Sequence, residues 1–395
     1  MAKVNKFISI FLILCSFALI LKFVKKVPYF YISVELFLLL LLVAIRTKKS
    51  SNFKAFCVNL ATVTLLCGFA ELYQVDWQKL TLSEEEAYNG VPYKYDELRG
   101  WALEKDTKVR STLFLGKELI YDVYYTTNQY GLRVAPHDLN PSLNSQKAFN
   151  NVVFFVCSFV LGEGVNDNET LPYFFEKKSG GDYRSYNLAG EGYGPHQMLR
   201  MLETGFLQTV IPDKKPSIAI YLCLSDHIER SSCKYPYFLW GITGPKYKLN
   251  SSGEVQYVGK FNDSLISKVK FKLFNQLAKS LLLSNNYWAK QLLNWNIVQD
   301  DKELFIKIIL RSKEIFTERY GGKFYVISWT DKSVNYPYIL SELKKYQIPV
   351  ITTEEIFHKF NDPMELYRIK ADGHPSKIAY ERIADYIQDY LKKTP

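Results

Sequence analysis

The chain reads as an α/β protein built on a parallel five-stranded sheet with helices on both faces, preceded by membrane helices and a small β-rich module. Three observations lead there. The first 75 residues hold three long apolar stretches. Beyond residue 150, short apolar runs alternate with segments of helical periodicity, the pattern of parallel strands joined by crossover helices. Two polar constellations, around Ser158 and His374, sit at the borders of such segments, and sheets of this kind collect their sites at the carboxyl ends of strands.

The apolar stretches are 7–24, 27–45 and 55–73, each long enough for a helix to cross a hydrocarbon core of ~30 Å. Lys3 and Lys6 precede the first, but no small-x-small cleavage site follows it, so residues 1–75 are expected to form an uncleaved anchor of three spans. Lys3, Lys6, Arg46, Lys48, Lys49 and Lys54 outnumber Lys22, Lys25 and Lys26 in the intervening hairpin. That bias predicts a cytoplasmic N-terminus and an exported chain from about Gln74 onward. Glu35, inside the second stretch, either serves a function there or pairs within the bundle or reaches an interface.

The net charge of +10 is mostly topology. Residues 1–75 carry nine basic and two acidic side chains, a net of seven, which leaves three for the remainder. No basic footprint for nucleic acid remains. Of six cysteines, Cys15 and Cys67 lie in apolar spans and Cys57 near the start of one; Cys157 and Cys223, near strand ends, read as small buried apolar groups. A Cys223–Cys233 disulfide is compatible with an oxidising compartment, although spacing does not establish it. Without a Cys-x-x-Cys pair or a histidine cluster, the expectation is no metal and no cofactor.

The module, 76–148, has strand formers at 119–125, and 128–133 reads as a turn and second strand. The main domain, 149–395, has expected strands at 152–156, 186–188, 217–224, 323–328 and 349–352, with helices at 171–177, 196–209, 302–319 and 338–345. The stretch 233–300 is irregular, rich in Trp240, Pro245, Tyr247, Trp288 and Trp295, and too long for a plain loop. A lid, a substrate wall and a membrane-facing flap all fit it.

Chemistry concentrates in four blocks. Val156-Cys157-Ser158, followed by Gly162-Glu163-Gly164, delivers a hydroxyl to the rim of the sheet. Asn187 to Gly194 is a glycine-rich strand end, and Ser225-Asp226-His227 with Arg230 follows another strand. Asp372-Gly373-His374-Pro375 opens a helical segment, 376–391, and offers a base with the carboxylate that would orient it. Taken singly these residues also read as structure: Ser158 as a serine bonded to turn backbone, His374 as a residue at a helix start.

In order, over about residues 90 to 390, the blocks resemble the SGNH (GDSL-like) hydrolase superfamily, particularly membrane-tethered members with an exported catalytic domain. The resemblance implies a flavodoxin-like three-layer fold, Ser158 as nucleophile, His374 as general base and Asp372 as its orienting acid. It also implies an oxyanion hole from the Gly192 backbone N–H, completed by a side chain at Ser225. The chain departs from the family pattern at Val156 and Cys157, where the family has glycine and aspartate. It departs again at Ser225, where the family has asparagine; a serine hydroxyl can still donate, whereas ionised Asp226 cannot. Asp226 is left to pair with Arg230 or to position His227. Leu98 to Trp101 and Thr126 to Arg133 resemble a segment found before the catalytic domain of exported relatives. The implied function is a serine ester hydrolase acting on an acylated glycan or lipid-like ester through an acyl-Ser158 intermediate. An O-acyltransferase for a surface polysaccharide and a non-catalytic binding or assembly subunit are the alternatives.

Overall fold

Long apolar runs fold at the N-terminus as expected, into helices. Pro28–Arg46 and Ser51–Tyr73 have 19 and 23 residues and pack antiparallel, with the Phe30 and Phe69 rings 6.2 Å apart. The computed structural model describes residues 28–47, 50–73, 86–89, 92–140, 150–211, 215–360 and 362–393. Among these, Ser51–Tyr73 is the one helix long and apolar enough to cross a membrane by length and composition, where three spans were expected. The first expected span, 7–24, lies outside the described residues, and the second is shorter and carries an exposed Glu35.

The chain divides into two compact units. Met1–Ser83 clusters with Val269–Asn296, so part of the expected 233–300 insertion belongs with the two N-terminal helices. Glu84–Lys268 and Ile297–Pro395 form the second unit, which unites the expected β module with the main domain.

In the second unit β1 (Glu86–Asn89), β2 (Tyr93–Asp96), β3 (Gly100–Leu103), β4 (Lys108–Leu115) and β5 (Glu118–Thr126) form two antiparallel sheets, β1-β4-β5 and β2-β3. Tyr121, Val123 and Tyr125 of β5 point inward at every second residue, as a strand with one packed face requires. Residues 128–133 are a turn and not a strand. The Asn128 Oδ1 accepts from the amides of Tyr130 and Leu132, and turn chemistry of this kind overrides strand propensity.

The main sheet comprises β6 (Asn150–Phe155), β7 (Tyr183–Asn187), β8 (Pro216–Cys223), β11 (Lys323–Ser328) and β12 (Val350–Thr352); a hairpin of β9 (Pro245–Leu249) and β10 (Val255–Lys260) intervenes. The order is β12-β11-β8-β6-β7, with every neighbour parallel. Strand order therefore reverses at β6, between β7 on one side and β8 on the other, which is where open parallel sheets leave a crevice. Asn151 to Phe155 are buried without alternation; successive side chains face opposite ways, so both faces of β6 are covered. Leu171–Lys178 packs with Lys377–Lys393, and Pro195–Glu203 with Gln299–Tyr320. The expected helix 196–209 is broken at Gly205, whose φ of +75° belongs to the left-handed region. The suggested Cys223–Cys233 disulfide is not formed, and Cys157 stays a thiol.

Side chains before the sheet reach into its rim loops. The buried Arg133 donates to the carbonyls of Leu161, Gly162 and Val165 at 2.9, 2.7 and 2.7 Å and pairs with Asp167 at 2.7 Å. The Trp101 indole donates to the Glu191 carbonyl at 2.9 Å. Arg133→Met is expected to lower unfolding stability by ~3–5 kcal/mol, because it strands a half-buried carboxylate and several buried carbonyls. Denaturant midpoints measure this against Arg110→Met, which breaks an exposed pair with Asp122 and is expected to leave the midpoint in place.

Candidate active site

The site begins with a backbone that its sequence does not favour. After β6, Val156 takes φ +134°, a region that costs a β-branched residue strain and glycine nothing. This valine therefore carries backbone strain where the chain turns toward Ser158. The chain then enters a one-turn helix, Ser158–Leu161, which ends at Gly162. Two contacts from the next loop hold the turn: the Gly190 amide donates to the Val156 carbonyl at 3.0 Å, and the Asn187 side chain donates to the Val160 carbonyl at 3.0 Å.

His374 arrives from the loop before the last helix. That loop is closed by the Ile369 amide on the His374 carbonyl at 2.8 Å and by Arg368 on the Gly373 carbonyl at 2.8 Å. Its Nε2 lies 2.9 Å from the Ser158 Oγ, and its Nδ1 lies 2.7 Å from the Asp372 Oδ2. With the carboxylate on Nδ1, the bonding pattern assigns the proton to Nδ1 and leaves Nε2 to accept from the serine hydroxyl. The Phe159 ring packs 5.2 Å from the imidazole and 5.1 Å from Trp329. Ser158 is buried, and His374 and Asp372 are partly exposed, as a rim position requires.

A residue absent from the expected set stands at the same imidazole. The Glu163 Oε2 is 3.4 Å from His374 Nε2. Burial pushes the imidazole toward its neutral form, but the Asp372 hydrogen bond and the charges of Glu163, Asp372 and Glu191 outweigh it and hold the pKa above the ordinary 6.5. Donor atoms of Glu163, Asp372 and His374 lie within 4.8 Å of one another, a set that could ligate a cation. Here Nδ1 is engaged by Asp372 and Nε2 faces the serine, which is the geometry of a proton relay. Glu163 sits in the Gly162-Glu163-Gly164 turn, and nothing in its spacing distinguished it from a solvated turn residue.

The remaining expected residues divide. Gly192 has φ +68°, and a side chain there would meet the Trp240 indole at 2.8 Å. Its loop is tied to the Ser158 turn through Gly190 and to Arg230, which donates to the Tyr193 carbonyl at 2.8 Å. Ser225 is otherwise engaged: its hydroxyl donates to the Asp331 Oδ1 at 3.0 Å. Asp331, just past β11, was not anticipated. Asp226 pairs with Arg230 at 2.6 Å and does not position His227, whose Nδ1 meets the Tyr221 hydroxyl at 2.9 Å and the Leu224 amide at 3.3 Å. Burial pushes the Cys157 thiol up to about 11, so it is a neutral neighbour of Ser158.

No family model matches the chain, and no curated protein does. Among solved structures it is similar to one described as a lipolytic protein of the G-D-S-L family from Desulfitobacterium hafniense DCB-2, at 14% identity and TM-score 0.33, over 60% of this chain and 97% of that one. It is also similar to the psychrotrophic esterase EstA from Pseudoalteromonas sp., at 11% identity and TM-score 0.33, over 62% and 97%. Likenesses this distant leave the reading of the site to its own geometry.

Strain at Val156 has a measurable signature. Val156→Gly is expected to destabilise by ~1–3 kcal/mol less than Val153→Gly, since it relieves a strained φ while losing the same buried side chain. Equal losses in paired denaturant titrations would remove the strain argument.

Proposed function

We propose that the chain is a membrane-anchored serine ester hydrolase of the SGNH type, acting on acyl or acetyl esters outside the cytoplasm. The observation that carries this reading is the contact of Ser158 Oγ with His374 Nε2 at 2.9 Å, backed by Asp372 at 2.7 Å. In the mechanism, Ser158 Oγ attacks the ester carbonyl carbon while its proton passes to Nε2. The carbonyl π electrons move onto oxygen, and the Gly192 N–H would meet that oxyanion. Collapse expels the alcohol, which takes the proton from Nε2, and leaves acyl-Ser158. Water then attacks the acyl carbon with His374 again as base, releasing the carboxylic acid and restoring the serine.

Asp372 and Glu163 play different parts in this scheme. Asp372 fixes the tautomer and stabilises the imidazolium through Nδ1. Glu163 adds a second negative charge on the Nε2 side, favouring the protonated ring without a bond to it in the resting state. With the Ser225 hydroxyl on Asp331, the oxyanion would rest chiefly on backbone N–H groups unless that hydroxyl rotates away. An acylated glycan or lipid-like ester is the proposed substrate class. A sugar hydroxyl could replace water at the second step and would make the protein an O-acyltransferase.

With p-nitrophenyl acetate and membranes holding the full chain, Ser158→Ala and His374→Ala are expected to reduce turnover to background. Asp372→Asn should cost about 10⁴-fold. A fluorophosphonate probe that fails to label wild-type Ser158 would sink the hydrolase and transferase readings together and leave the non-catalytic one. Turnover increased by a glycan acceptor would favour transfer over hydrolysis.

The base must be neutral to act, so activity is expected to rise with pH through a midpoint above 6.5. Glu163→Gln should move that midpoint to lower pH, because the ring loses a carboxylate that favours its charged form. An unmoved midpoint would deny Glu163 this role.

A further inference from the structure

Residues 269–296 combine exposed apolar side chains with an unbalanced positive charge. Within Leu265–Leu277, Phe271 is buried, while Val269 and Leu273, one turn apart, are 61% and 55% exposed. In Tyr287–Leu292, Trp288 and Leu292 share a face and are 76% and 88% exposed, beside Tyr287. Lys270, Lys272, Lys279 and Lys290 lie in this stretch, with no aspartate or glutamate. Such a surface in water is costly unless something covers it.

The segment is attached where the apolar helix ends. The Ser280 hydroxyl hydrogen-bonds the carboxylate of Glu71, which is buried in the last turn of Ser51–Tyr73. At 23 residues that helix spans ~35 Å, so its final turn falls near the headgroup layer of a membrane that it crosses. Tryptophan, tyrosine and leucine flanked by lysines are the side chains that settle at that depth, with ammonium groups reaching toward phosphates. A second copy of the chain is disfavoured as the covering partner, since a two-fold contact would set lysines against lysines.

We infer that residues 269–296 lie flat in the headgroup layer of an anionic bilayer, as an interfacial extension of the membrane anchor. This rests on the anchor part of the proposed function and is independent of the chemistry at Ser158.

The test uses the full chain in nanodiscs containing phosphatidylglycerol, with ordinary or acyl-brominated lipid. Emission of wild type minus that of Trp288→Phe isolates Trp288. Bromolipid is expected to quench that difference at least about twofold, and Val269→Asp with Leu273→Asp to relieve the quenching. Emission unchanged by bromine, in chain that co-floats with the discs, overturns the inference and leaves the anchor standing. Chain that does not co-float overturns both. Trp288 shielded from acrylamide yet untouched by bromine overturns the inference in favour of a protein partner.

Discussion

The three residues from Val156 to Ser158 hold a path that the chain resists, and the candidate chemistry depends on that path. β6 is an inner strand of the sheet and leaves it at the point where strand order reverses, so whatever follows β6 emerges into the crevice. A strand continued in extended form past Phe155 would send its side chains alternately to the two covered faces of the sheet. The φ of +134° at Val156 breaks that alternation, and Ser158 opens a short helix instead. Strain of this kind costs of order 1–3 kcal/mol and persists only where neighbours over-determine it. Gly190, Asn187 and Arg133 supply the neighbours.

Charge at the rim is arranged around one imidazole. Two carboxylates, Asp372 and Glu163, approach opposite nitrogens of His374, and Glu191 adds a third negative charge at longer range. On the other side of the Ser158 turn the sign changes. Buried Arg230 neighbours Cys157 and takes its counter-charge from Asp226 in the loop after β8. Burial keeps the Cys157 thiol neutral, so it adds no competing charge beside Ser158.

Much of this was legible because of how parallel sheets bury their strands. With both faces of β6, β8 and β11 covered, the sequence carries continuous apolar runs, and expected strand ends fall within a few residues of those observed. Ser158, Asp372 and His374 were legible because each lies in a short polar motif beside such a run or a helix. What stayed hidden depends on contacts between distant loops. The engagement of Ser225 by Asp331 joins residues 106 apart, and no spacing rule reports it. At 128–133 the expected turn is present, closed by the Asn128 side chain, while the expected second strand shrinks to one antiparallel bridge between Arg133 and Thr127. The insertion could not be divided from sequence, since its irregularity conceals that 269–296 clusters with the N-terminal helices and 233–268 with the sheet.

The upstream segment, to which the sequence attached no role, acquires one from backbone accounting. Loops at the rim are rich in glycine and short in regular structure, so their carbonyls lack ladder partners, and buried carbonyls need donors. Arg133 supplies donors to Tyr124, Leu161, Gly162 and Val165, and Trp101 supplies one to Glu191. Arg99, paired with Asp96, binds the Tyr130 carbonyl at 2.7 Å and holds the turn before Arg133. A guanidinium suits this work because its five N–H groups are fixed in a plane and cannot be deprotonated. The β-rich segment is therefore one body with the sheet: it completes the hydrogen bonding of the loops that carry Ser158 and Gly192, which a flexible spacer would not do.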